Sequence, residues 1–285
     1  ILIMNILVLG ATGMLGNTFY ELFKRNKVKE FKFTFTSRKK IKNFLEFDAT
    51  KLQTYRSIKK TNPDIIINCI GVIKPHINES SPFSIINAFE INSNLPRNLL
   101  KLFPKSKIIH FNTDCVFSGK LGGYTESQKK DCNDIYGISK SLGEVSSNRI
   151  MNLRCSIIGK EKATKLSLLS WFLDNKSIDI DGFTNHYWNG LTTTALARIV
   201  SGIIINKSFK HGLFNIIPKD SITKYGLLKI FNKKFFANKK NIIPIKNRLK
   251  VNRILATRHI NLNKKLWKNA GYTNIPTIKN MIEEL

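Results

Sequence analysis

Tyr136 and Lys140 stand four residues apart, a spacing that puts both side chains on one face of a helix. A tyrosine hydroxyl can deliver the proton that a carbonyl oxygen needs as hydride reaches the carbon, provided that its pKa is lowered toward neutrality. The ammonium group of Lys140 would stabilise the phenolate and lower that pKa. Thr113, just after a predicted strand, can hydrogen-bond the same substrate oxygen. These three residues predict the catalytic group of a hydride-transfer reaction.

A glycine loop far upstream supplies the context that this chemistry requires. Gly10, Gly13 and Gly16 follow an apolar run at residues 5–9 and open a predicted helix. The first glycine permits a tight turn, the second lets the backbone approach a pyrophosphate, and the third lets helix pack on strand. Phosphates would then meet the helix N-terminus. A glycine-rich turn without a ligand is the alternative. The predicted contacts come from Gly10, Thr12, Gly13, Met14, Leu15 and Gly16.

The ends of the second and third predicted strands indicate which dinucleotide would bind. An acidic residue after the second strand selects the form without a 2′-phosphate, but this chain has Ser37, Arg38 and Lys39 there. Cationic groups suit a phosphate, so NADP(H) is favoured over NAD(H), with a solvated basic turn as the alternative. Further predicted cofactor contacts are Asp48 and Ala49 at the adenine, Cys69, Ile70 and Gly71 after the third strand, and Tyr136 and Lys140.

Alternating strand and helix patterns must position these residues. Apolar runs at 5–9, 31–36, 64–68, 107–111 and 151–155 predict strands, and they alternate with helical patterns that include one long helix at 84–103. Such alternation predicts an α/β fold with a doubly wound parallel (Rossmann) sheet. We expect a cofactor domain over residues 4–156. A smaller α/β substrate lobe over 157–285 would follow, with about 191–217 packing back on the first domain.

Composition sets further limits on function. The 285 residues are 42% hydrophobic and carry a formal net charge of +28. Because the basic residues are spread along the chain, a compositional bias explains this charge better than nucleic-acid binding, while attraction of anionic substrates stays open. The four cysteines lack metal-ligand spacing. Without an apolar stretch of membrane-spanning length or a signal-peptide pattern, we expect a cytoplasmic protein whose natural start is Met4.

Three motifs together carry a family resemblance. The glycine loop, Asn112-Thr-Asp-Cys-Val-Phe-Ser-Gly119 with Gly123-Tyr-Thr-Glu126, and Tyr136-Gly-Ile-Ser-Lys140 resemble the extended short-chain dehydrogenase/reductase superfamily. Within it the chain is most similar to dTDP-4-dehydrorhamnose reductases and related nucleotide-sugar reductases. The resemblance implies NADPH-dependent reduction of a 4-keto sugar, with Tyr136 as proton donor and Thr113 as third catalytic group. It implies that Lys140 orients the cofactor ribose and lowers the tyrosine pKa.

The chain departs from that reductase pattern at three positions. Asn112 and Cys115 replace the serine and tyrosine of Ser-Thr-Asp-Tyr-Val-Phe, and Ile157 stands where a tryptophan is expected. Since these positions fall where substrate would be held, the particular sugar is left open.

Substrate contacts are predicted around these positions and in the second lobe. Residues 186–190, His-Tyr-Trp-Asn-Gly, offer Trp188 for stacking and Asn189 for hydroxyl groups. The alternative is a turn in which the tryptophan packs against the protein and Thr193 or Thr194 caps the following helix. The full predicted set is Lys74, Asp114, Cys115, Lys160, Trp188, Asn189 and Arg253, with Lys160 and Arg253 answering a diphosphate.

Two other functions fit the same motifs. An epimerase of the same superfamily would retain its NADP⁺ without net reduction. A catalytically idle, cofactor-binding regulatory subunit would not need Thr113, Tyr136 and Lys140 together. The expected partner is a nucleotide sugar rather than nucleic acid or membrane, and a homodimer is compatible with the sequence.

Overall fold

The chain forms two compact units in the computed structural model, which describes residues 3–25, 29–161 and 165–285. Ile1 and Leu2, which precede the expected start at Met4, lie outside the described residues. Unit 1 comprises Ile1–Val116, Asn133–Arg154 and Phe209–Phe214, and unit 2 comprises Phe117–Cys132, Cys155–Ser208 and Asn215–Leu285. The sequence-based division places a boundary after residue 156 and has about 191–217 pack back on the first domain. In the structure, residues 117–132 group with unit 2 and residues 209–214 group with unit 1.

Strands and helices alternate through most of the chain. The strands are β1 Met4–Leu9, β2 Phe31–Ser37, β3 Leu45–Glu46, β4 Ile65–Asn68, β5 Lys107–Asn112, β6 Ile150–Arg154, β7 Ile157–Ile158, β8 Asp179–Phe183, β9 His186–Trp188, β10 Leu191–Thr192, β11 Gly212–Asn215, β12 Ile222–Thr223, β13 Asn241–Ile245 and β14 Val251–Asn252. The helices are α1 Met14–Arg25, α2 Leu52–Lys59, α3 Pro82–Phe89, α4 Leu95–Leu102, α5 Ile135–Leu142, α6 Leu168–Asp174, α7 Thr193–Ile205, α8 Lys224–Phe236, α9 Ile260–Asn269 and α10 Ile278–Glu283.

Unit 1 is built on a seven-stranded sheet in the order β11-β6-β5-β4-β1-β2-β3. The neighbouring pairs from β6 across to β3 are parallel. This order confirms the predicted doubly wound α/β fold. Because the strands are parallel, the segments after β1, β4 and β5 emerge at one edge of the sheet, where such folds bind ligands.

The apolar runs of these strands bury both faces of the sheet. Leu7 and Leu9 face a cluster that includes Leu95 and Leu99 of α4. The opposite face is covered by α1, whose Phe19 ring lies 6.0 Å from the ring of Phe111. Burial on both faces explains why the strands read as continuous apolar runs rather than alternating ones.

The long helix predicted at 84–103 is wrong in one respect, because a π-helical turn at Glu90–Asn94 divides it into α3 and α4. A π turn holds one extra residue and changes which side chains face the protein interior. Here it buries the polar residues Asn92 and Ser93. The interruption therefore places polar groups where a regular apolar helix face was expected.

Unit 2 contains three small sheets: β7 with β10, β12-β9-β14, and β8 with β13. Helix α9, which the sequence analysis did not predict, is fixed by its tryptophan: Trp267 is buried and its indole nitrogen donates to the carbonyl of Ile217 at 2.8 Å. The N-cap residue His259, which precedes the helix, makes no side-chain capping hydrogen bond. The usual sequence signal for a helix start is therefore missing. Within the described ranges, no helix has the length and apolar character needed to cross a membrane.

Candidate active site

The glycine loop after β1 makes a tight, closely packed turn. Gly10 adopts a φ of +76°, and a Cβ on Gly16 would lie 2.1 Å from the carbonyl oxygen of Gly10. The protein itself therefore demands glycine at both positions. A Cβ on Gly13 would meet its nearest protein atom at 3.5 Å, an ordinary contact. Gly13 is exposed, so its missing side chain leaves room for a ligand rather than for the protein.

The predicted 2′-phosphate site lies on the turn after β2. Arg38 and Lys39 are exposed, whereas Ser37 is buried and donates its hydroxyl to the carbonyl of Lys39. Two basic side chains thus remain at the surface, and the serine braces their turn.

The predicted adenine contacts are occupied with local hydrogen bonds. The carboxylate of Asp48 accepts from the backbone N–H of Thr50 at 3.0 Å and from its hydroxyl at 2.7 Å. The carbonyl of Ala49 accepts from the hydroxyl of Tyr55 at 3.0 Å. These contacts hold the loop between β3 and α2 in shape.

The segment after β4 lies beside Lys140, the predicted catalytic lysine. Cys69 and Ile70 are partly buried, Gly71 is exposed, and burial raises the pKa of the Cys69 thiol. A Cβ on Gly71 would stand 3.9 Å from the Nζ of Lys140. The predicted cofactor segment and α5 therefore meet in unit 1.

The structure brings the three predicted catalytic residues together at the end of β5. The Thr113 hydroxyl donates to the Asp114 carboxylate at 3.1 Å and accepts from the backbone N–H of Cys115 at 3.1 Å, and it lies near enough to Tyr136 to act on the pKa of that phenol. The Nζ of Lys140 donates to the carbonyl of Phe111 at 2.7 Å. Asp114 is buried and Cys115 partly so.

The pKa of Tyr136 is shifted in the direction opposite to the expected one. Burial raises it above the ordinary tyrosine value of 10.0, and the neighbouring Cys115 acts in the same direction. The hydrogen bond with Thr113 opposes this shift. Burial therefore outweighs the other influences on this pKa, and the phenol stays protonated at neutral pH. The lowering of the pKa by Lys140 stays a prediction.

Lys74 is engaged at the start of α5 rather than free for a substrate. Its Nζ lies 2.9 Å from the carboxylate of Asp134, which caps the helix by accepting from the backbone N–H of Gly137 at 2.7 Å. Glu79 accepts from the backbone N–H of Ile135 at 2.9 Å. Both contacts support the start of the helix that carries Tyr136. The role of Lys74 as a substrate ligand stays a prediction.

Residues of the π turn support the same helix, and the sequence analysis missed them. Asn92 accepts from the backbone N–H of Val72 at 2.9 Å and donates to the hydroxyl of Ser139 at 3.0 Å. The hydroxyl of Ser93 donates to the carbonyl of Ser139 at 2.7 Å. The available signal was two adjacent polar residues in the middle of an apolar helical pattern.

In unit 2, the predicted substrate residues contact the protein itself. Asn189 is 7% exposed. It donates to the carbonyl of Leu255 at 2.7 Å and accepts from its backbone N–H at 2.8 Å. The ring of Trp188 packs on Gly190, where a Cβ would stand 2.2 Å from it. The packing alternative holds for these two residues, and the prediction that Asn189 binds sugar hydroxyls is wrong for this arrangement.

The cap of α7 and two basic residues, Lys160 and Arg253, also lie in unit 2. Helix α7 is capped by Thr192, which accepts from the backbone N–H of Ala195 at 3.2 Å, so the predicted caps are wrong by one or two residues. Lys160 is exposed and its Nζ lies 5.5 Å from the centre of the Phe235 ring. Arg253 uses its Nε to donate to the carbonyl of Phe117 at 3.3 Å.

Known proteins share parts of this sequence and its fold. Over 143 residues the chain is 29% identical to "Methionine adenosyltransferase 2 subunit beta" of Danio rerio, a match that covers 49% of this chain and 42% of the relative. The fold matches a dTDP-4-dehydrorhamnose reductase from Bacillus anthracis in complex with NADP (TM-score 0.78, 20% identity, 99% of this chain and 98% of that one). It also matches the ADP-L-glycero-D-manno-heptose-6-epimerase of Helicobacter pylori (TM-score 0.78, 15% identity, 99% and 95%).

The relationship extends along the whole described chain. A family model described as the RmlD substrate binding domain matches residues 4–285. Because this span includes the glycine loop, the Thr113 segment and α5, it covers every residue of the candidate site. The chain belongs to the RmlD substrate binding domain family.

Proposed function

We propose that this protein is an NADPH-dependent reductase acting on the 4-keto group of a nucleotide-activated deoxysugar, in nucleotide-sugar or polysaccharide biosynthesis. The observation that carries the proposal is the meeting of Thr113, Tyr136 and Lys140 at the edge of a parallel sheet whose first strand ends in the glycine loop. Family membership supports it, as does the fold shared with a dTDP-4-dehydrorhamnose reductase.

The residues at the ends of β1 and β2 fit a phosphorylated nicotinamide dinucleotide. Gly13 leaves room for a pyrophosphate at the start of α1, whose first turn reads Met-Leu-Gly-Asn and so brings no negative charge. The exposed cations Arg38 and Lys39 would hold the 2′-phosphate. When bound, NADPH supplies the hydride. Binding of NAD(H) instead would mean that Arg38 and Lys39 are solvated side chains of a surface turn and hold no phosphate.

Tyr136 is the proton donor in this proposal. Since burial raises its pKa, the phenol is protonated at neutral pH and can transfer its proton to the keto oxygen of the substrate. The Thr113 hydroxyl, which lies near the phenol, positions the same oxygen. The resulting phenolate would be stabilised by the nearby Lys140 ammonium.

The nucleotide part of the substrate is assigned to unit 2. Arg253 donates from Nε to the carbonyl of Phe117, so its terminal guanidinium nitrogens can bind a diphosphate. Lys160 is an exposed second cation of the same unit.

The test measures NADPH oxidation with a panel of 4-keto nucleotide sugars that differ in base and sugar. Wild-type protein should oxidise NADPH in proportion to the sugar reduced, and Tyr136→Phe should lose at least about 100-fold in kcat because it lacks the donated proton. Retention of NADPH by both proteins would show that the variant is folded. Equal rates in the two proteins would contradict the assignment of Tyr136.

Two alternatives have specific support and predict different outcomes. The Helicobacter pylori epimerase shares this fold, and an epimerase would interconvert sugar stereoisomers without net NADPH oxidation. The relatives named as a methionine adenosyltransferase subunit favour a cofactor-binding subunit of another enzyme. That function predicts a stable complex with a catalytic partner and no turnover of any sugar in the panel.

A further inference from the structure

Asn112 bonds the backbone of two proposed catalytic residues at once. It is the last residue of β5 and is 4% exposed. Its Oδ1 accepts from the backbone N–H of Thr113 at 2.8 Å. Its Nδ2 donates to the backbone carbonyl of Lys140 at 3.0 Å. One side chain therefore ties the strand that carries the threonine to the helix that carries the lysine.

An asparagine suits both contacts, whereas the serine of the related reductases does not. The amide presents an acceptor and a donor on separate atoms, while a hydroxyl is shorter and has a single proton to donate. The carbonyl of Lys140 lies in the last turn of α5, where helix carbonyls need partners from outside the helix. It accepts from the backbone N–H of Gly143 as well, at 3.0 Å.

Lys140 is joined to β5 in two places, and these two contacts differ in kind. Its ammonium donates to the carbonyl of Phe111 at 2.7 Å, and its own carbonyl accepts from Asn112. The first contact is broken if the ammonium turns toward a cofactor ribose. The second is independent of the lysine side chain and would keep helix and strand in register while the ammonium moves.

We propose that Asn112 is a positioning residue that holds Thr113 and Lys140 in place around Tyr136 while the lysine side chain is engaged elsewhere. The kinetic consequence rests on the proposed reductase function, but the geometric one does not. It follows that replacing Asn112 shifts Thr113 relative to Tyr136 even in a protein that does not turn over.

The experiment compares Asn112→Ser and Asn112→Asp with the matched control Asn152→Ser. Asn152 is also a buried asparagine, 2% exposed, and it donates to the carbonyl of Val145 at 3.0 Å on the neighbouring strand β6. Two readouts are needed: kcat and KM with NADPH and a 4-keto nucleotide sugar, and the 13C chemical shift of the Tyr136 ring carbon that bears the hydroxyl. The Tyr136 signal is identified by its loss in Tyr136→Phe.

Both Asn112 variants should lower kcat roughly tenfold with KM for NADPH within about twofold of wild type, because the reacting groups are misplaced rather than lost. They should also shift the Tyr136 signal, whereas Asn152→Ser should change neither readout. If the wild type turns over no sugar, the proposed function fails, and a Tyr136 shift confined to the Asn112 variants still supports the positioning role. An unchanged Tyr136 signal in both Asn112 variants, or an equal change in Asn152→Ser, would overturn it.

Discussion

Two segments rich in polar and aromatic residues differ in what their polar groups contact. The catalytic segment comprises residues 111–115 and 134–140 of unit 1, and the β9 segment comprises residues 186–190 of unit 2. In the catalytic segment, the Thr113 hydroxyl donates to the Asp114 side chain and acts on the pKa of Tyr136. In the β9 segment, the side-chain amide of Asn189 forms two hydrogen bonds with the backbone of Leu255.

The difference shows what makes a sequence signal specific. The spacing of Tyr136 and Lys140 has a chemical purpose only with a dinucleotide loop upstream, and the structure places Lys140 beside the segment after β4. The polarity of Asn189 has a simpler use, since a buried backbone N–H and carbonyl need partners wherever they occur. The polar and aromatic composition of the β9 segment was therefore a weak basis for predicting substrate contacts there.

The largest effect that separates the two units is expected at one glycine of each, Gly16 in unit 1 and Gly190 in unit 2. Gly16→Ala places a Cβ 2.1 Å from the backbone oxygen of Gly10, and backbone cannot move as cheaply as a side chain. We expect the Kd for NADPH to rise roughly 100-fold, the equivalent of about 3 kcal/mol. Isothermal titration calorimetry at a temperature where the variant is folded measures this change.

Gly190→Ala is the matched change in unit 2, because its Cβ would stand 2.2 Å from the Trp188 ring and 2.4 Å from the carbonyl of Ser156. It should lower thermal stability and leave the Kd for NADPH within about twofold of wild type, since it alters packing alone. An equal loss of NADPH affinity in both variants would remove the distinction between the two units.

Asn189→Ala should act on stability rather than on substrate. It leaves the buried N–H and carbonyl of Leu255 without their partner, which costs about 3 kcal/mol in the free energy of unfolding. Urea denaturation measures that loss, and steady-state kinetics at low temperature measure KM for the sugar nucleotide. A large rise in KM with unchanged stability would return Asn189 to the substrate site.

Two histidines extend the comparison to pH. Burial holds the pKa of His110 well below its ordinary 6.5, and the charge of Lys140 acts in the same direction. The unfolded chain therefore binds a proton that the folded chain does not, so stability falls as pH drops below about 6.5, by at most about 1.4 kcal/mol per pH unit for one group. His186 in the β9 segment is only partly buried, and burial is again the main cause of its lowered pKa.

Urea midpoints between pH 7.5 and 5.5 check this expectation. His110→Gln should flatten the acid loss, while His186→Gln should change it less because its imidazole is closer to solvent. The opposite ranking of the two variants would contradict the assignment of the acid sensitivity to unit 1.

The smallest effect is expected at Lys74. Its ion pair with Asp134 joins side chains that are 62% and 20% exposed, and such a pair contributes about 0.5 kcal/mol. Lys74→Met should lower stability by no more than this, with KM for the sugar nucleotide unchanged. A tenfold rise in KM would restore the sequence-based role of Lys74 as a substrate ligand.

Much of unit 1 was predictable because its signals are local. Buried parallel strands read as apolar runs, and Gly10 and Gly16 mark a turn that the backbone itself requires. The π turn was not predictable, since it depends on a hydrogen bond between Asn92 and the backbone of Val72, which is distant in the sequence. The raised pKa of Tyr136 was missed for a similar reason: burial is set by the whole unit, while the spacing of two residues reports only their common face.

The central claim is that Tyr136 and its neighbours reduce a keto sugar, and deuteride transfer tests it most directly. Protein incubated with NADPH carrying deuterium on the transferred position of C4, and with 4-keto nucleotide sugars, should yield a product with one deuterium at the former keto carbon. Tyr136→Phe should bind the same NADPH and yield at least about 100-fold less labelled product per unit time. Wild-type protein that binds NADPH and labels no sugar in the panel would contradict the claim.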